Sequence, residues 1–88
     1  MKRVWRIHKY DSLEEVGTWN VPGHYTQVEV ERILQALVCR DLTEGEIIDA
    51  MRRRSDPFKV AFLDRIGKGP VPHYGASNYW YTATFGPA

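Results

Sequence analysis

The 88-residue chain offers few side chains suited to metal binding or nucleophilic chemistry: three histidines and one cysteine. His8, His24 and His73 are far apart, whereas paired zinc ligands usually stand about three to six positions apart. Cys39 lies in an apolar run, where the charged thiolate is disfavoured, so a reactive cysteine–histidine pair is not expected. We therefore predict no catalytic residue, no metal centre and no cofactor.

Two groups of basic residues could contact the phosphates of a nucleic acid, one near the N-terminus and one after residue 51. They are Lys2, Arg3, Arg6, Arg52, Arg53 and Arg54. The second group closes a predicted helix that Glu44 and Glu46 open, and this order of charges complements the helix dipole without any ligand. The net charge is only +1, so no general attraction to nucleic acid or to anionic membranes is implied.

Aromatic residues are concentrated near the C-terminus, where residues 78–85 alternate as a β-strand does. If Tyr79 and Tyr81 pack beneath the helices, the alternation turns Trp80 to the other face of the sheet. There it is either covered by the segment 67–77 or exposed, and an exposed tryptophan on an open sheet face is typical of a partner site. Trp80 is therefore the first candidate for partner binding.

The segment 67–77 contains three glycines and two prolines, which predicts a loop longer than an ordinary hairpin turn. It lacks the spacing of a phosphate-binding loop. Long loops often carry binding residues, so Lys68, His73 and Tyr74 join Trp80 as predicted contact residues.

Two capping boxes predict the helices that must support these residues. Thr26 and Glu29 open the first helix, expected over about residues 27–40, and Thr43 and Glu46 open the second, expected over about residues 44–54. The short connection between them predicts an αα-hairpin. The apolar residues predicted to face the core are Val30, Ile33, Leu34, Leu37 and Val38 in the first helix and Ile47, Ile48 and Met51 in the second.

The remaining segments predict a small sheet. Residues 3–10 read as a strand with Trp5 and Ile7 on its core face, and residues 11–25 read as irregular. Residues 58–66 alternate as a strand does, although a third helix would also group their apolar side chains. The predicted class is α+β, with element order β-α-α-β-β: an αα-hairpin on one face of a three-stranded, mostly antiparallel sheet, in a single domain over residues 1–88.

These features favour a non-enzymatic protein that binds another protein, through the sheet face around Trp80 and the 67–77 loop. A homodimer through a strand edge is a second expected association. The first alternative is nucleic-acid binding by the basic residues. The second is a small-molecule site or small enzyme between segments 11–25 and 67–77. The single cysteine, the absence of a signal peptide and the lack of a long apolar run predict a cytoplasmic protein with no membrane partner.

Overall fold

The computed structural model describes residues 2–67, 69–76 and 78–87. Over these residues it contains four strands and two helices: β1 (Arg3–Asp11), β2 (Glu14–Pro22), α1 (Gln27–Cys39), α2 (Glu44–Ala50), β3 (His73–Gly75) and β4 (Tyr79–Pro87). The strands are antiparallel in the order β2-β1-β4-β3, and the helices pack on one face of the sheet. The α+β class and the two-layer arrangement are confirmed, with four strands where three were predicted.

Both helix starts form the predicted capping boxes. The hydroxyl of Thr26 accepts from the backbone N–H of Glu29 at 3.2 Å, and the Thr26 N–H donates to the Glu29 carboxylate at 2.9 Å. Thr43 and Glu46 repeat these two bonds at the start of α2. Each box satisfies backbone donors that a helix start would otherwise leave open.

Helix α2 ends at Ala50, about one turn before the predicted end. The segment after the helix supplies a hydrogen-bond donor to its last carbonyl group: the Lys59 ammonium donates to the Ala50 carbonyl at 2.6 Å. Ile48 and Met51, which were predicted to face the core, are instead 60% and 71% exposed, so that prediction was wrong. The two residues are three positions apart and therefore lie on the same side of the helical turn, which faces solvent.

Residues 11–25 are not irregular, because β2 occupies most of this segment. Ser12 and Leu13 form a two-residue turn in which Ser12 has a φ of 56°, and β1 and β2 then pair from Asp11 and Glu14 onwards. The register shifts once between Lys9 and Tyr10. The prediction failed because β2 is an edge strand with mostly exposed side chains and a register shift opposite Lys9 and Tyr10, and therefore lacks a clear apolar alternation.

Residues 58–66 form neither the predicted strand nor the alternative helix. The carboxylate of Asp56 accepts from the backbone N–H of Phe58 at 2.8 Å. This hydrogen bond begins a series of turns, and the segment does not pair with another strand. Leu63 is nevertheless buried in the core. The segment 67–77, which was predicted to be a loop, contains the short strand β3.

The core joins the sheet to α1 and extends to α2 and the segment that follows it. Its buried residues are Ile7, Tyr81, Ala83, Val30, Leu34, Val38, Ala50, Leu63 and Tyr74. A 13-residue helix is ~20 Å long and a nine-residue strand ~30 Å, so α1 covers only the middle of β4. Tyr79 and Phe85, at the two ends of β4, therefore remain 37% and 44% exposed.

Candidate functional site

The face of the sheet that points away from the helices, here called the outer face, carries polar and aromatic side chains. Tyr10 pairs with Trp80, His8 with Thr82, and Arg6 with Thr84, so alternation places these six on the same face. Their register partners on β2 and β3 complete it. The outer face comprises Val4, Arg6, His8, Tyr10, Glu15, Thr18, Asn20, His73, Trp80, Thr82 and Thr84.

Three rings form an aromatic cluster on this face: Tyr10, Trp80 and His73. The Tyr10 and Trp80 ring centroids are 4.2 Å apart with an interplanar angle of 12°, a stacked pair. The His73 ring lies 4.8 Å from Trp80 at 38°. Because β1 and β3 flank β4 on opposite sides, Tyr10 and His73 cover opposite faces of the indole. Trp80 therefore presents its edge to solvent.

Two further contacts fix the position of Trp80. Its indole Nε1 donates to the backbone carbonyl of Ser12 at 2.6 Å, which ties β4 to the β1–β2 turn. Gly75 is paired with Trp80, and a Cβ at Gly75 would lie 2.7 Å from the Trp80 Cβ. Only glycine allows this close approach of β3 to β4. The ring is held on both faces and at its polar atom, so the cluster is rigid.

A second arrangement on the outer face centres on His8. Its Nδ1 lies 2.6 Å from the Glu15 carboxylate and its Nε2 lies 3.2 Å from the Thr84 hydroxyl. Hydrogen bonds from His8, and then from Thr18, hold the pKa of Glu15 below its ordinary value. The Glu15 carboxylate thus accepts a hydrogen bond from the Nδ1–H of His8, and with the proton on Nδ1 the Nε2 of a neutral ring accepts from the Thr84 hydroxyl.

The order hydroxyl, imidazole, carboxylate is also that of a nucleophile, its base and the group that orients the base. Acyl transfer would further need a substrate cleft and donors for an oxyanion. The described residues form four clefts on the helix side of the sheet and beside α2, and His8, Glu15 and Thr84 line none of these four. On this flat face the three side chains bind β1, β2 and β4 to one another.

Two of the four predicted partner-binding residues, Trp80 and His73, meet in the aromatic cluster. Tyr74 faces the helices instead and is only 5% exposed, with its hydroxyl donating to Glu31 at 2.7 Å. Burial, and then the bond to Glu31, raise the pKa of Tyr74 to about 12. The structure therefore leaves Tyr74 out of the outer face, and Lys68 lies outside the described residues.

The basic residues of the nucleic-acid hypothesis do not form one patch. Arg3 and Arg6 are on opposite faces of β1: the Arg3 guanidinium lies 5.5 Å from the Phe85 ring, whereas Arg6 bonds Asn20 on the outer face. The Arg52 guanidinium is engaged by two carboxylates, those of Asp49 at 2.8 Å and Asp56 at 3.2 Å. The two remaining residues of this group, Arg53 and Arg54, are exposed.

A small-molecule site was predicted between segments 11–25 and 67–77, and the structure does not bring the histidines of these segments, His24 and His73, together. His24 follows β2 and His73 begins β3, and these two strands are the opposite edges of the sheet. A different cleft lies between α1 and residues 54–65. Three cations line it: Arg54 is exposed, Lys59 donates to the Ala50 carbonyl, and the Nε of Arg65 is buried without a hydrogen-bond partner among the described residues, 3.7 Å from a Glu31 oxygen.

The described residues contain neither a cluster of metal ligands nor a membrane-spanning helix. No three His, Cys, Asp or Glu side chains there are placed to hold a metal ion. No helix of that part of the chain is long and apolar enough to cross a membrane.

Tyr10 and the His8–Glu15 pair are outer-face features that the sequence reasoning did not single out. The alternation of residues 3–10 places His8 and Tyr10 on the same face of β1, so their proximity could have been predicted from the sequence. Glu15 could not be placed, because β2 was not predicted.

Comparison with known proteins finds no match: no protein-family model, no curated protein and no solved structure resembles the chain significantly. A functional proposal therefore depends on the geometry of the outer face.

Proposed function

We propose that this chain is a binding protein whose outer face contacts another protein, with the aromatic cluster at the centre of the contact. The observation that carries the proposal is the fixed position of Trp80 between Tyr10 and His73. Tryptophan and tyrosine are enriched among the residues that dominate protein–protein affinity. A ring that is already immobile loses little conformational entropy on binding, so more of its contact energy appears as affinity.

The same geometry favours a protein over a single-stranded nucleic acid. Base recognition by aromatic residues requires a free ring face on which the base can stack. Both faces of the Trp80 indole are already covered, so it offers an apolar edge instead. The outer face also carries one arginine, Arg6, against one carboxylate, Glu15, which supplies little attraction for a phosphate backbone.

The outer face also favours a macromolecule over a small substrate. Small-molecule sites are concave and enclose most of their ligand. Four clefts of the described chain lie on the helix side of the sheet or beside α2, away from the aromatic cluster. A flat surface with an apolar centre and a polar surround matches the general anatomy of a protein interface.

The test compares three proteins immobilised at equal density: the wild type, Trp80→Ala and Phe58→Ala. Phe58 is 72% exposed and lies outside the sheet, so Phe58→Ala is a matched aromatic truncation away from the outer face. Proteins retained from a lysate of the source organism are identified by mass spectrometry, with and without nuclease treatment. The proposal predicts a protein that the wild type and Phe58→Ala retain and Trp80→Ala loses.

Circular dichroism and thermal unfolding of each variant separate binding from folding. If Trp80→Ala does not fold, His73→Ala takes its place, because His73 is half-buried and begins the short strand β3. Equal retention by the wild type and a folded cluster variant would contradict the proposal. Retention that nuclease abolishes would favour the nucleic-acid alternative instead.

A further inference from the structure

Strand β2 is a long unpaired sheet edge. It has nine residues and pairs only with β1 in the described part of the chain, whereas the opposite edge strand, β3, has three residues. Every second residue of such an edge turns its N–H and C=O groups outwards. Natural edge strands are commonly protected by lysine or internal proline. Strand β2 contains no lysine, and its proline, Pro22, is its last residue.

Apolar side chains along β2 are also left open. Val16 is 50% exposed and Trp19 is 47% exposed, and both line an open cleft on the helix-side face together with Leu37 of α1. The Trp19 ring lies flat over Gly17, where an added Cβ would come within 2.6 Å of its Cη2 atom. The edge therefore offers unpaired backbone groups together with an aromatic side chain.

The β1–β2 hairpin carries opposite charges at its two ends. At the turn, Asp11 pairs with Glu14, and Glu15 follows. At the open end are Lys2 and Arg6, whose guanidinium bonds Asn20 of β2, whereas the Arg3 guanidinium lies over the Phe85 ring of β4. Lys9 does not offset the acidic end at the β2 edge, since its ammonium lies over the Tyr79 ring, 4.4 Å from the centroid, on the side towards β4.

We propose that the β2 edge binds a second copy of this chain, with the two β2 strands antiparallel about a two-fold axis. This pairing sets the acidic end of each hairpin beside the basic end of the other, so one surface is complementary to itself, as a two-fold interface requires. It also joins the two sheets into one continuous sheet and removes both long edges.

The register follows from the length of the strand. Full overlap of two Glu14–Pro22 segments places Thr18 opposite its own copy and Gly17 opposite Trp19 of the other copy. The two Trp19 side chains then become diagonal neighbours on the same face, a distance that aromatic side chains can span. The aromatic cluster is centred on β4 and stays exposed, so the dimer does not depend on the function proposed for the outer face.

Cysteine cross-linking tests both the dimer and its register. In a Cys39→Ser background, Thr18→Cys brings two thiols to the two-fold axis, where directly opposed strand residues have the Cα separation that a disulfide needs. The control is Asn20→Cys, whose two copies would be displaced by four residues, roughly 13 Å along the strands. We expect rapid formation of a covalent dimer by Thr18→Cys and little by Asn20→Cys under mild oxidation.

Light scattering of the wild type during size exclusion measures the dimer without any cysteine. The mass should approach twice that of the monomer as concentration rises, and Trp19→Lys, which adds a charge to the edge, should stay monomeric. Cross-linking of Asn20→Cys as fast as Thr18→Cys would overturn the proposed pairing. So would a monomeric wild type over its whole soluble range, which would leave the edge for an extended segment of another protein.

Discussion

The indole of Trp80 stacks on Tyr10 from the neighbouring strand, with ring centroids 4.2 Å apart and planes inclined by 12°. This pair joins β4 to β1 on the side of the sheet that the helices do not cover. Together with the bond from Trp80 to the Ser12 carbonyl, it fixes an aromatic edge on a surface that is otherwise mostly polar.

Gly75→Ala should displace Trp80. The new methyl group would lie 2.7 Å from the Trp80 Cβ and 2.9 Å from the Tyr79 carbonyl oxygen, and neither backbone-bound atom can move aside alone. We expect a loss of about 1–3 kcal/mol in the free energy of unfolding and a weaker near-ultraviolet circular dichroism signal. Gly45→Ala is the control, since nothing lies within 4 Å of that position. It should be neutral or stabilising by up to ~1 kcal/mol. A Gly75→Ala protein as stable as the wild type would contradict the close packing of β3 on β4.

Thr43→Ala should destabilise the protein by about 1 kcal/mol, because it removes the hydroxyl that accepts from the Glu46 N–H at the start of α2. Thr26→Ala should behave similarly at α1. Chemical denaturation measures both losses. Thr43→Ser keeps the accepting oxygen and should retain most of the stability. If serine and alanine proved equally harmful at residue 43, the threonine methyl group rather than the cap would be responsible.

The helices were predictable from sequence because their signals are local. Each capping box spans four residues and is read directly, and both boxes form as predicted. The orientation of Trp80 could also be predicted from the sequence. Strand alternation places its side chain on the other face of the sheet from Tyr81, which is 1% exposed.

The edge strands were not predictable by the same reasoning. Strand β3 has three residues, too few for a period, and β2 exposes most of its side chains on both faces. The pairing of β3 depends on β4, where Thr82 lies opposite His73. Residues 58–66 have the opposite problem: an alternating pattern is present, but the Asp56 turn and the contacts of Lys59 with α2 hold the segment in another shape.

Alkaline conditions should destabilise the fold through two buried tyrosines. Burial raises the pKa of Tyr74 and of Tyr81 to about 12 from the ordinary value of 10.0. The folded state therefore holds these protons more tightly than the unfolded state does. The resulting stability is fully present below pH 10 and is lost as the pH rises towards 12.

Denaturant unfolding at several alkaline pH values measures this loss, and absorbance at the tyrosinate wavelength follows the ionisation. Tyr81→Phe should lose the hydrogen bond to Asp41 but should show a smaller decline of stability with rising pH. An unchanged decline in both Tyr81→Phe and Tyr74→Phe would show that other groups cause it.

Salt should weaken the proposed dimer, because it screens the attraction between the acidic end of one hairpin and the basic end of the other. Sedimentation equilibrium should give a dissociation constant that rises several-fold from low to high ionic strength. Glu14→Lys should weaken the dimer at low salt. Glu44→Lys makes the same charge change in α2, away from the edge, and should not. A dissociation constant that is independent of salt would exclude the charge contribution.

The most direct test of the outer face is a chemical-shift map of the labelled wild type, titrated with the protein that the wild type and Phe58→Ala both retain. We predict that the largest shifts fall on the backbone amides of Tyr10, His73 and Trp80 and on the indole N–H of Trp80, with α1 and α2 little changed. Shifts concentrated on the helices, with the aromatic cluster unaffected, would contradict the account.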